Sequence, residues 1–371
     1  MGRQTKKQAR GDIHDVGQIV LVLQGGGALG AYQAGVYEAM TNAGIEPDWV
    51  IGTSIGAING ALIAGNVRAR RLERLREFWR RVQQREAFGE WGTVIHGVHS
   101  FFEPRPGVWA GGMYAPVGAE AASFYSAQPL RETLHELLEE DLLAHDMRLT
   151  MGAVSVTQGE LRYFDSRDEK LCVDHVLASG ALPPAFAAVR IGEHVYWDGG
   201  VFSNTPIEAV FDDEPRRSSL IFSVNVWQPT GVEPRSVWEA MGRQKDIQYA
   251  SRADTHIARQ KQIHRLRHVI RELTHQLSEA RRNTPAVREL SAWGCGTTMH
   301  VVRLLAPTLA NEDYWKDIDF SREGIEARWA AGLEDTRKVI ECAPWNEPYD
   351  ATEGVIVHEL SARTGMEVKT V

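Results

Sequence analysis

The chain has 371 residues, 43% of them hydrophobic, enough to bury a full core without staples, which excludes disordered and small disulfide-scaffold classes. Its 41 Lys and Arg stand against 49 Asp and Glu, a formal net charge of −8, so no general basic field grips nucleic-acid phosphates and a nucleic-acid partner is disfavoured. Cys172, Cys295 and Cys342 are odd in number and widely spaced; this suits reduced, buried thiols in a cytoplasmic chain and, with no CxxC or His-spaced cluster, leaves no metal site to expect.

Residues 1–16 read as a basic, polar, flexible tail with no apolar signal core. The uncharged stretch at residues 51–67 is interrupted by Gly, Thr, Ser and Asn and is shorter than the ~20 apolar residues of a bilayer span. The expectation is a soluble cytoplasmic protein with peripheral membrane contact at most.

In chain order, residues 18–24 form an apolar, β-branched run that stops at three glycines, as a strand buried on both faces does. Leu29, Tyr32, Val36 and Met40 then recur at helical spacing, with Gly44 placed for a left-handed cap. A second strand, Trp49-Val50-Ile51, breaks into Gly52-Thr53-Ser54-Ile55-Gly56 and a helix closing at Gly65. Two successive strand–turn–helix units predict an α/β three-layer sandwich on a mostly parallel sheet. Leu72, Leu75, Phe78, Trp79 and Val82 mark one apolar stripe on an Arg-rich helix. Residues 86–126 scatter aromatics among Gly and Pro without a period, Trp91, Phe101, Phe102, Trp109, Tyr114, Phe124 and Tyr125 among them, and read as a lid-like insertion.

Further strands are expected at 151–156 and 219–226, and a hairpin from 189–191 to 195–197. The catalytic domain is thereby set at 17–230, followed by a largely helical extension over 231–371. Within the extension, 239–282 reads as one long basic amphipathic helix whose seam, Ile263, Leu266, Ile270, Leu273 and Leu277, asks for a partner helix from this chain or a second copy in a homodimer. Its ten Lys and Arg suit an approach to anionic lipid headgroups. A strand at 300–305 and a helix at 322–340 complete the chain.

Three motifs carry chemistry. Gly52-x-Ser54-x-Gly56 lies between strand and helix, the setting of a nucleophile elbow; an ordinary turn with Thr53 or Ser54 as helix cap is the bland alternative. Gly25-Gly26-Gly27-Ala28-Leu29-Gly30 ends a strand and opens a helix, so its amides converge on a place for a negative oxygen. A dinucleotide site would also need an acid after the second strand, but Glu46 and Asp48 precede it. An oxyanion hole built from the amides of Gly26, Gly27 and Ala28 fits better. Asp198-Gly199-Gly200 follows the apolar strand 195–197, and Thr205-Pro206-Ile207-Glu208 reads as a capping box.

GGGALG, GTSIG, SGALPPAF at residues 179–186 and DGGVFSNTP at 198–206 together resemble the bacterial patatin-like phospholipase family over about residues 17–226. The resemblance implies a Ser-Asp dyad of Ser54 and Asp198, with Gly25, Gly26, Gly27 and Gly30 in the oxyanion loop, a lipid or acyl-ester substrate and no cofactor. Two departures stand out: Leu29 where that family usually has Arg or Lys, and Phe186-Ala187-Ala188-Val189 where it often has FPPV. Short-chain or polyester esterase activity, a Ser-Asp-His triad using His256, His300 or His358, and a non-catalytic lipid-binding or scaffold protein are the rivals.

Overall fold

The structure, a computed structural model, describes residues 16–83, 118–120, 123, 126–139, 147–309, 312, 314–350, 352–361 and 365–369, with backbone alone at 251–252, 361 and 365–369. Residues 1–15 of the proposed tail and nearly all of the 86–126 insertion lie outside the described residues.

The first βαβα run is as expected: β1 (Gln18–Leu23), α1 (Ala31–Asn42), β2 (Trp49–Thr53), α2 (Ile55–Ala64) and α3 (Arg71–Gln83). Helix α1 runs out at Ala43 and the chain reverses at Gly44, whose φ of 75° suits a residue without Cβ. Next come α4 (Gln128–Leu137), β3 (Arg148–Ser155), β4 (Leu161–Asp165), α5 (Val173–Ser179), the β5–β6 hairpin (Val189–Ile191, His194–Asp198), α6 (Glu208–Phe211) and β7 (Ser219–Asn225). The C-terminal part supplies α7 (Val237–Gln276), α8 (Glu279–Arg282), α9 (Pro285–Ser291), β8 (Met299–Leu305), α10 (Arg322–Cys342), β9 (Val355–Ser361) and β10 (Gly365–Lys369).

The ten strands among the described residues join one sheet in the order β10-β9-β8-β7-β1-β2-β3-β6-β5, with β4 also paired to β3. The six strands from β9 to β3 run parallel, and antiparallel pairs close both ends. The C-terminal region is therefore helical, as expected, and also lengthens the sheet by three strands. Strand alternation separates two cores. Ile19, Leu21, Leu23, Val50 and Phe222 face α1, α2 and α10, whereas Val20, Val22, Ile51, Ile221 and Val301 face α6 and Ile257 of α7. Because both faces are covered, β1 is apolar at successive positions. Helices α1 and α10 cross closely at Gly35 and Gly332: a Cβ on Gly35 would strike the Trp329 carbonyl, and one on Gly332 the Tyr32 carbonyl.

Several sequence expectations change. The long helix ends at Gln276, where Leu277 is extended, and it docks through Ala250, Ala253, Ile257, Lys261, His264 and His268. Leu266 and Leu273 of the anticipated seam are 64% and 59% exposed. The capping box at 205–208 does not form, because the Thr205 hydroxyl accepts from Gln24 Nε2 at 2.7 Å and the Glu208 carboxylate accepts from Tyr163 at 2.7 Å. The three thiols are free, but none is buried: Cys172 and Cys342 are exposed and Cys295 is intermediate. Cys172 caps α5 instead, its sulfur facing the amide of His175. Among the described residues no helix is long and apolar enough to cross a membrane.

Candidate active site

Strand β1 is a switch point: the chain passes to β2 on one side while β7 pairs on the other. In parallel sheets a crevice opens outside the carboxyl ends of strands at such a point. Here those ends release the glycine loop from β1 and Ser54 from β2. Register brings in the third motif, since Thr53 pairs with Gly152 and the next residue, Ala153, pairs with Asp198.

Ser54 sits between β2 and α2 with φ 57° and ψ −125°, a conformation that costs an L-residue of order 1–3 kcal/mol and persists only when its surroundings enforce it. The flanking glycines permit the turn. A Cβ on Gly52 would collide with the Gly56 carbonyl, and one on Gly56 with the Leu23 carbonyl. The Ser54 carbonyl accepts from the amides of Ala57 (2.9 Å) and Ile58 (3.1 Å), while its own amide donates to Ser179 Oγ at 3.1 Å. Ser179 in turn donates to the Gly152 carbonyl at 2.7 Å. Ser54 makes no side-chain cap bond to α2, which removes the helix-cap reading of its hydroxyl.

The Asp198 carboxylate lies against that hydroxyl, near enough for the serine to oppose the upward shift of its pKa. Asp198 is 2% exposed, and its Oδ1 accepts the Gly200 amide at 2.7 Å. Burial raises its pKa to about 6, against the opposing pull of Ser54 and of the Gly200 amide. An aspartate working as a base near neutrality needs an upward shift of this kind. Tyr249, also at the site, is raised to about 12 by burial and by the charges of Asp198 and Asp317, so it stays protonated. Gly199 is placed by close packing, since a Cβ there would meet the Gly152 carbonyl.

The glycine loop is narrower in its offering than the sequence suggests. The Gly25 amide donates to the Asn204 carbonyl at 3.1 Å and the Ala28 amide to the Asp317 carbonyl at 2.8 Å; neither is free for a ligand, a correction to Ala28 as an oxyanion donor. Gly30 packs against Ile55, and neither Ala28 nor Gly30 lines the cavity. Gly26 and Gly27 do line it, and no hydrogen bond among the described residues engages their amides. Leu29, in place of the cation, is buried in the core.

A cavity of about 270 Å³ opens over these groups. Ile55, Ile58, Phe78, Val82, Leu130 and Phe186 form an apolar flank; Trp227, Lys245, Tyr249, Trp315 and Asp317 form a polar and aromatic one. Most of the second flank comes from the C-terminal region, and sequence reasoning missed it. The only signal was the aromatic and charged density of residues 314–320. Ser179 and Asn204, also missed, lie inside the quoted motifs. Among the described residues no histidine lines the cavity; His300, near the start of β8, pairs instead with His358 at 3.0 Å.

A strained serine at the tip of a strand, an aspartate against its hydroxyl and open amides beside an apolar cavity constitute the equipment of an ester hydrolase of the α/β class. A family model described as patatin-like phospholipase matches residues 21–211, and one described as patatin phospholipase matches residues 247–352. The chain belongs to the patatin-like phospholipase family. Curated relatives include lysophospholipase nte1 of Aspergillus terreus, 49% identical over 61 residues, or 15% of this chain and 4% of that protein. Patatin-like phospholipase domain-containing protein 7 of Rattus norvegicus is 54% identical over 46 residues, 12% of this chain and 3% of the relative. The chain thus spans a small fraction of the length of these relatives. The crystal structure of VipD from Legionella pneumophila aligns over 88% of this chain and 67% of its own at 15% identity and a TM-score of 0.39, a likeness too loose to support a functional statement.

Proposed function

We propose that the protein hydrolyses carboxylic esters of single-chain phospholipids or similar acyl lipids through a Ser54–Asp198 dyad and an acyl-enzyme intermediate. The observation that carries this reading is Ser54 beside the buried Asp198, its carboxyl held at a pKa of about 6, in the cavity also lined by Gly26 and Gly27. Asp198 takes the hydroxyl proton as Ser54 Oγ attacks the ester carbonyl. The Gly26 and Gly27 amides receive the developing oxyanion, the first alcohol leaves with the proton, and water repeats the sequence to release the fatty acid. One such donor is worth roughly 3 kcal/mol in the transition state.

The apolar flank suits an acyl chain, and the names of the curated lysophospholipase relatives favour a substrate with one chain. A fluorophosphonate probe tests the nucleophile: labelling of wild type and none of Ser54→Ala is expected, with an acyl adduct on Ser54 after rapid quench of an ester reaction. Absence of labelling in both proteins returns the reading to a lipid-binding scaffold. A panel of lysophospholipids, diacyl phospholipids, short-chain esters and polyester oligomers then reads substrate class directly, and a preference for the last two overturns the single-chain assignment.

A further inference from the structure

We infer that the C-terminal region holds the oxyanion loop in working geometry through a clamp made by Asp317 and Lys245, which makes both of them positioning residues. The inference rests on the dyad reading above and adds a requirement to it.

Backbone amides stabilise a transition state only when they are already aimed at the charge that develops, and a run of glycines is the least self-supporting backbone there is. The loop therefore needs fixed points outside itself. On one side of the two open amides, the Gly25 carbonyl accepts from Trp227 Nε1 at 2.7 Å and Asn204 Nδ2 at 3.0 Å, and the Gly25 amide donates to the Asn204 carbonyl. On the other side the fixed point is the Asp317 carbonyl, which accepts from Ala28 at 2.8 Å. It lies so close over Gly27, whose φ is 54°, that a Cβ there would collide with it. Gly26 and Gly27 are thus suspended between two anchors, one from the motif region and one from the C-terminal region.

The second anchor is tied down in its turn. The Asp317 carboxylate receives Lys245 Nζ at 2.8 and 3.0 Å, and the neighbouring Lys316 reaches Asp246 at 2.7 Å. Two consecutive residues of one segment grip two consecutive residues of α7 with opposite polarity. Lys316 and Asp246 are largely buried, with side chains 10% and 14% exposed, so this pair is poorly screened and resists sliding of the segment. Lys316 also lies 5.6 Å from the Trp227 ring, the ring that anchors Gly25, so the two fixed points share a support. Leu29, apolar and buried, offers the loop no charge of its own.

The test uses the full chain with Lys245→Met, Asp317→Asn, the double variant, Lys245→Arg and the exchange Lys245→Asp with Asp317→Lys. Asp317→Asn keeps the backbone carbonyl and Lys245→Arg keeps the charge, so at least these two report on function if the others fold poorly. With an acyl p-nitrophenyl ester, the single variants are expected to lower kcat by roughly tenfold, short of the 10²–10³ lost with a whole oxyanion donor, with KM within about twofold. The rate of fluorophosphonate labelling falls in parallel, the double variant loses no more than the worse single one, and Lys245→Arg recovers most of the loss. Wild-type kcat in Lys245→Met, a raised KM at unchanged kcat, multiplying single losses, or Lys245→Arg as impaired as Lys245→Met each overturn the clamp. Ser54→Ala run alongside separates the failures: activity surviving there removes the dyad itself, whereas a dead Ser54→Ala beside normal clamp variants removes the clamp alone.

Discussion

Asp198→Asn separates chemistry from stability in one substitution. Asp198 is buried and its pKa is raised from 3.8 to about 6, about 2 units, which at 1.36 kcal/mol per unit amounts to about 3 kcal/mol of penalty on the charged form in the folded state. A folded pKa above the unfolded one means the native protein holds the proton more tightly. Stability from this group is therefore retained at low pH and lost as pH rises from about 4 through about 6. At pH 7.5 the wild type bears the whole penalty and the neutral amide bears none. Asparagine still offers Oδ1 to the Gly200 amide, which donates to Asp198 at 2.7 Å, and turns an NH₂ toward Ser54. The variant is expected to be more stable than wild type by up to about 3 kcal/mol at pH 7.5 in urea unfolding, with the advantage vanishing near pH 4. In the same preparation, ester turnover falls by about 10²–10⁴, the usual loss of a general base. Wild-type kcat/KM, for the same reason, declines tenfold per pH unit below about pH 6. A variant that is destabilised at pH 7.5, or that keeps most of its turnover, would refute the assignment of Asp198 as a desolvated base.

Away from the site, His264 is fully buried and neither of its ring nitrogens has a hydrogen-bond partner among the described residues. Burial first, then the nearby Arg267, His268 and Arg216 charges, lowers its pKa to about 4; burial likewise lowers His300 and His358 to about 4. The unfolded chain then binds more protons between pH 6.5 and about 4, so stability drops as pH falls through that window. His264→Leu should be more stable by about 1–3 kcal/mol at pH 7 and show a shallower decline in acid melts; an unchanged pH slope counts against this account. At the α1–α10 crossing, Gly332→Ala sets a Cβ against the Tyr32 carbonyl and should cost about 1–3 kcal/mol through a forced helix shift, read as a lower urea midpoint at unchanged m. A variant as stable as wild type would mean that the helices have room to part.

Much of the site was legible because the chemistry demands local backbone geometry. Ser54 needs glycines two residues away on either side, and the open amides need glycines of their own; such requirements leave a motif in contiguous sequence. The first two βα units were legible for a related reason, since burial on both faces forces an uninterrupted apolar strand. The long-helix seam misled, because Ile263, Leu266, Ile270 and Leu273 carry helical periodicity, yet the stripe that docks is the polar-looking one through Lys261, His264 and His268. Periodicity marks a face without saying what covers it.

Sequence alone settled which residues carry the chemistry motifs, that they stand at strand ends and that the sheet is mostly parallel, because each follows from what neighbouring residues impose on a few φ and ψ angles. Tertiary structure decided which glycine-loop amides are open, how far burial lifts Asp198, and that residues from α7 and the 314–320 segment wall the cavity. Those properties depend on contacts between segments hundreds of positions apart, such as the carbonyl of Asp317 on the amide of Ala28. Nothing in the local sequence of either partner requires the other.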